Sequence, residues 1–101
     1  MEKGICRVGD SCSGICPGHS PAVPFTAIFN QGTSKYTADG IPVVLVGHTG
    51  PASCGHTAIA TSGSGVVDVD GVPVVRQGDA VVTDGGGSGT VDGGSPNVKA
   101  A

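Results

Sequence analysis

Gly40-Ile41-Pro42-Val43-Val44-Leu45-Val46-Gly47-His48 returns 31 residues later as Gly71-Val72-Pro73-Val74-Val75-Arg76-Gln77-Gly78-Asp79. The match extends outward at the same offset: Ala27-Ile28 pairs with Ala58-Ile59, Gly32 with Gly63, and Asp39 with Asp70. A third, incomplete copy follows, in which Gly94-Ser95-Pro96-Asn97-Val98 takes the place of Gly63-Ser64-Gly65-Val66-Val67. Its missing half stands at the other end of the chain, where Ile5-Cys6-Arg7-Val8-Gly9-Asp10 matches Val74-Val75-Arg76-Gln77-Gly78-Asp79. A repeat split between the termini implies three copies closing around a pseudo-threefold axis, with the first and last strands side by side.

Within each copy the local chemistry is that of strands and tight turns. Asp39-Gly40 and Asp70-Gly71 are two-residue hairpin signals, flanked by short apolar runs. Pro42 and Pro73 stand at the starts of the returning strands, where a missing N–H is tolerated. Glycine and proline interrupt every window that could hold a helical period. The expectation is an all-β fold: a small cone of short strands and hairpins, forming a single domain over residues 1–101. Three connecting loops, residues 11–26, 49–57 and 80–88, join the copies, the first being seven residues longer than the others.

Composition excludes several functions. Nineteen glycines and seven prolines approach the range of disordered chains, but the regular Val/Ile pairs between them argue for a folded one. A net charge of −3 with five basic residues gives no footprint for nucleic acid. No apolar run approaches the roughly 20 residues that span a bilayer. Met1-Glu2-Lys3-Gly4-Ile5 lacks the apolar segment of a secretory signal, so synthesis and folding in the cytoplasm are expected.

The metal-binding residue types gather in or beside the first two loops: Cys12, Cys16 and His19, then His48, Cys54 and His56. Threefold closure would bring these loops to one end of the molecule. Three imidazoles and a thiolate suit tetrahedral zinc. Cys54-Gly55-His56 places its ligands two apart, on one face of an extended segment. His48 stands where the other copies have Asp10 and Asp79, as if recruited. The first-choice ligands are therefore His19, His48, Cys54 and His56, with Cys16 as the reserve sulfur because Cys16-Pro17-Gly18-His19 also has ligand spacing. A Cys12–Cys16 disulfide is the competing use of those thiols, one that a cytoplasmic chain disfavours. Cys6 occupies a valine-equivalent position and reads as a small buried hydrophobe. Asp10 and Asp79 read as turn-capping side chains. Gly85-Gly86-Gly87 reads as a turn, since no Gly-Lys-Ser/Thr follows to make a phosphate cradle. Glu2 is the sole glutamate and no His-Glu-x-x-His occurs, so a structural zinc is expected rather than a hydrolase.

Gly-x-Pro-Val segments ending in Gly-Asp or Gly-His, followed by a Cys/His loop and Gly-Ser-x-x-Val, resemble the PAAR-repeat family. The resemblance runs from Ile5 to Val98, and Gly4-Ile5-Cys6-Arg7-Val8-Gly9-Asp10 is similar to the opening of the family's members in T4-like contractile-tailed phages. It implies a pointed cone with a structural zinc near the vertex, held by three histidines and one cysteine. It implies one monomer on the blunt end of a trimeric β-helical spike, either the phage central spike or the VgrG-type spike of type VI secretion. Puncture of a target membrane, delivery out of the cell and carriage of effector proteins follow as expectations, with no enzyme activity. This chain departs from the family at His48, where Asp is usual, and in its surplus of cysteines. A zinc-stapled adaptor that carries cargo without puncturing anything is the alternative.

Overall fold

Two Asp-Gly turns form the first ribbons of the fold. In the computed structural model, which describes residues 3–17 and 22–100, Asp39 and Gly40 take φ of 55° and 77°, and Asp70 and Gly71 take 54° and 82°. Positive φ at both central residues is the geometry whose twist matches paired strands. In chain order the strands are β1 (Lys3–Gly4), β2 (Ser11–Cys16), β3 (Val23–Ile28), β4 (Thr33–Ala38), β5 (Ile41–Val43) and β6 (Thr49–Pro51). They continue as β7 (Thr57–Ala60), β8 (Asp68–Val69), β9 (Val72–Pro73), β10 (Ala80–Thr83), β11 (Ser88–Val91) and β12 (Lys99–Ala100), and no helix occurs among the described residues.

The Asp-Gly turns join β4 to β5 and β8 to β9, and a third ribbon pairs β1 with β12. The first and last described residues therefore lie together, as the split repeat predicts. Lys3 pairs with Ala100 and Gly4 with Lys99. Ile5 N–H then donates to Val98 O at 3.0 Å.

The remaining strands form one antiparallel sheet of six, in the order β3-β2-β11-β10-β7-β6. An isolated bridge between Ala27 and Ala52 brings its two edges together, so the sheet curls almost shut. The segments expected as connecting loops are thus hairpins, β2–β3, β6–β7 and β10–β11, and they build the larger part of the molecule. They escape a hydropathy reading because their inward positions are small. Cys12, Cys16, Ala27, Ala58, Ala60 and Val81 are buried, alternating with exposed or half-buried neighbours. Gly14 and Gly89 face each other across β2 and β11. A Cβ on Gly14 would meet Ser88 O at 2.0 Å, so glycine is required by the closeness of the strands.

Three strand segments meet at the centre. Cys6 N–H donates to Val75 O (2.8 Å), Val75 N–H to Val44 O (2.9 Å), and Val44 N–H back to Cys6 O (3.0 Å). A second set of three bonds links the same segments in the opposite sense: Val8 N–H to Pro42 O, Val46 N–H to Pro73 O and Gln77 N–H to Gly4 O. Side chains alternate across this junction. Cys6, Val44 and Val75 enter the core inside the curled sheet, with Phe25, Phe29, Val81 and Val91. Ile5, Val43 and Val74 enter a second core among the ribbons, with Ala38, Leu45 and Ala100. This explains the apolar pairs that do not alternate in sequence, since both faces are buried.

Truncation at this junction should be costly. Val75 is fully buried, so Val75→Ala is expected to lower the unfolding free energy by roughly 2 kcal/mol. Val82, 37% exposed on the outer face of β10, should lose less than about 0.5 kcal/mol on the same change. Urea unfolding of the two variants measures the difference.

Candidate metal centre

Each of the three central segments reverses direction in a four-residue turn with a glycine third. Gly9, Gly47 and Gly78 take φ of 96°, 94° and 88°. The turns are closed by Asp10 N–H to Arg7 O, His48 N–H to Leu45 O, and Asp79 N–H to Arg76 O. In two of them the aspartate caps the turn as the sequence predicts, Oδ2 of Asp10 accepting Arg7 N–H at 2.9 Å and that of Asp79 accepting Arg76 N–H at 2.7 Å. Both carboxylates also hold the guanidinium of the same turn at both oxygens.

His48 makes the same bond in the middle turn, its Nδ1 accepting Leu45 N–H at 3.0 Å. Here leucine replaces arginine, so an aspartate would lack its counter-ion and a neutral imidazole serves instead. Burial holds the His48 ring below its ordinary value of 6.5, favouring that neutral acceptor. The departure from Asp thus has a structural reason at the turn, and His48 does not join the group of metal-binding side chains that the fold assembles.

That group is Cys16, Cys54 and His56, whose ligand atoms lie within 4.8 Å of one another and could hold a metal ion. Cys16 ends β2, while Cys54 and His56 stand in the turn between β6 and β7. This turn is not the extended segment expected: Ala52 N–H donates to His56 O at 2.8 Å and Gly55 N–H to Ala52 O at 3.1 Å. Cys16 Sγ lies 3.0 Å and Cys54 Sγ 3.9 Å from His56 Nδ1. Tetrahedral zinc with its usual bond lengths would set sulfur and nitrogen roughly 3.5 Å apart, between those two values. Both the first-choice and the reserve sulfur are therefore brought to one place. The expected ligand His19 lies outside the described residues.

The third hairpin supplies no sulfur or imidazole but shapes the site. A Cβ on Gly85 would fall 2.3 Å from His56 Nδ1 and Cε1, so the ring occupies the space a side chain would need. Asp84 ties this tip to the second, accepting Thr57 N–H at Oδ1 (3.0 Å) and donating its own N–H to Thr57 O. Ser53 N–H donates to Thr26 O, linking the second tip to β3.

The other thiols are of a different kind. Cys6 and Cys12 are fully buried, and burial pushes the Cys6 thiol up and that of Cys12 up to about 11. They stay protonated and act as small apolar side chains, as expected for Cys6. All four cysteines are thiols rather than disulfides. Cys12 and Cys16 lie four residues apart on one strand, about 13 Å, well beyond the reach of a disulfide.

No family model and no curated protein matches this chain.

Replacing Cys16 or Cys54 by Ser, or His56 by Ala, should each lower metal content, whereas His48→Asn should leave it unchanged. Elemental analysis of protein purified without chelator makes the comparison. The His48 turn has its own signature in pH. A folded-state value below 6.5 means that its contribution to stability is complete above pH 6.5 and is lost as pH falls through the lowered value. NMR titration of the ring should give a midpoint below 6.5.

Proposed function

We propose that this chain is a PAAR-type tip protein that caps a trimeric β-helical spike of a contractile injection apparatus, with a structural zinc near its point. The observation that carries this reading is the closed set of hydrogen bonds among Cys6, Val44 and Val75, with a second set linking the same three segments from Val8, Val46 and Gln77. Three equivalent strand segments around one axis are what a single chain needs to meet three identical partners at once. A trimeric β-helix ends in open strand edges, and a monomer with matching threefold contacts can cover all of them. The three ribbons β1–β12, β4–β5 and β8–β9, on the far side of the junction from the metal group, form the proposed docking face.

The hairpin end supports the role of a point. The segments 11–28, 49–60 and 80–91 contain one Asp, Glu, Lys or Arg between them, Asp84. Such an end carries little charge to strip of water on contact with a bilayer. Cys16, Cys54 and His56 are the proposed zinc ligands at this end. His19, three residues beyond Cys16 in sequence, is proposed as the fourth. Four protein ligands close the coordination sphere, which makes the zinc a crosslink between hairpin tips rather than a catalyst.

Mixing the protein with a trimeric spike should yield a complex of one monomer per three spike chains. Light scattering coupled to size exclusion measures this. Three copies of the tip per trimer would overturn capping and leave the cargo adaptor as the better account. Charge substitutions on the ribbon face should abolish the complex, whereas changes at Gly86 should leave it intact.

A further inference from the structure

Thr83 closes β10 and is 4% exposed. Its Oγ1 accepts Gly87 N–H at 2.9 Å, a buried bond that leaves the hydroxyl proton to find its own acceptor. Among the described residues the side-chain partner that remains for it is Cys16 Sγ, at 3.8 Å.

The two backbone bonds that close the turn do not involve this hydroxyl. Thr83 N–H donates to Gly87 O and Gly86 N–H to Thr83 O, both at 3.0 Å. The second hairpin makes the same pair of bonds 31 residues earlier, from Ala52 N–H to His56 O and from Gly55 N–H to Ala52 O. Alanine therefore closes that turn unaided. The bond from Gly87 N–H uses a lone pair of the oxygen, but the O–H itself is a buried donor that is unfavourable unless it too is bonded, and Cys16 Sγ stands within its reach.

We infer that Thr83 is a positioning residue of the metal centre, donating its O–H to the Cys16 sulfur and so orienting it and drawing off part of its charge. This rests on the metal reading above. It also gives the third hairpin a part in a site to which it contributes no ligand. Bonds to the groups around a metal hold the ligands in place, and losing one commonly lowers affinity by about tenfold or more.

The test loads the full chain with cobalt(II), whose sulfur-to-metal charge-transfer band reports on the thiolate, and measures affinity by competition with a chromophoric chelator. Thr83→Val keeps the shape and removes the O–H. It is expected to weaken cobalt binding about tenfold and move the band to longer wavelength, because an unbonded thiolate gives up charge more readily. Thr83→Ser should restore both. Thr83→Ala, which reproduces the Ala52 turn, carries the same expectation if the valine variant does not fold. Unchanged affinity and spectrum in the valine or alanine variant would overturn the assignment while leaving the metal site standing. A serine variant that behaves like valine would also overturn it, since the methyl group would then be what matters. Wild-type protein that binds no cobalt and contains no zinc would instead overturn the metal reading, and this assignment with it.

Discussion

Everything in this fold is arranged around three backbone hydrogen bonds that close on themselves, from Cys6 to Val75, Val75 to Val44 and Val44 to Cys6. Buried backbone groups must be paired, and a two-stranded ladder cannot pair three chain segments at a point. The cyclic arrangement can, because each segment gives one N–H to one neighbour and one C=O to the other. It also determines what the side chains must be. Successive residues point to opposite sides of the junction, so Ile5/Cys6, Val43/Val44 and Val74/Val75 each serve two cores at once. Nothing larger than isoleucine occupies these six positions, as suits a narrow centre.

The turns beyond the junction show how a repeat drifts while its geometry persists. Arg7 with Asp10 and Arg76 with Asp79 combine a side chain-to-backbone cap with an ion pair. Leu45 with His48 keeps the cap and drops the pair. The two changes belong together. With no guanidinium beside it, a half-buried carboxylate would lose hydration without compensation, whereas a neutral imidazole accepts the same N–H at little expense. His48 is thus explained by its partner in the turn, a relation that requires reading Leu45 and His48 as one unit.

What could be read from sequence follows the strength of the local chemistry. Asp39-Gly40 and Asp70-Gly71 admit few conformations, and they form the expected turns, although the β4–β5 ladder shifts register between Thr33 and Thr37. The adjacency of the termini was legible because a split repeat has few other ways to be completed. The hairpins β2–β3, β6–β7 and β10–β11 read as loops in sequence, since cysteine, alanine and glycine on their inner faces give a weak alternating signal. For the metal group the residue types are visible, but Cys54-Gly55-His56 and Cys16-Pro17-Gly18-His19 both have ligand spacing, so spacing alone does not decide between the two sulfurs. Only the meeting of hairpin tips shows that both reach His56. Thr83 carried one faint signal, a hydroxyl in the position where the preceding copy has Ala52.

The presence of two sulfurs, rather than one, also makes electrostatic sense. A divalent ion held by one thiolate and neutral imidazoles keeps a net positive charge, while two thiolates cancel it. Cys16 is fully buried and Cys54 half-buried, and in the hairpin segments Asp84 is the lone charged residue. That carboxylate is held by Thr57 N–H, so its charge is directed toward the neighbouring tip's backbone. An unbalanced charge on an ion held there would be partly desolvated beside the buried Cys16, at a cost that rises with burial. Neutralising the ion at its own ligands removes the penalty without adding a charged residue to the surface. The second cysteine therefore fits the weakly charged hairpin end on which it stands, for any divalent ion that the group could hold.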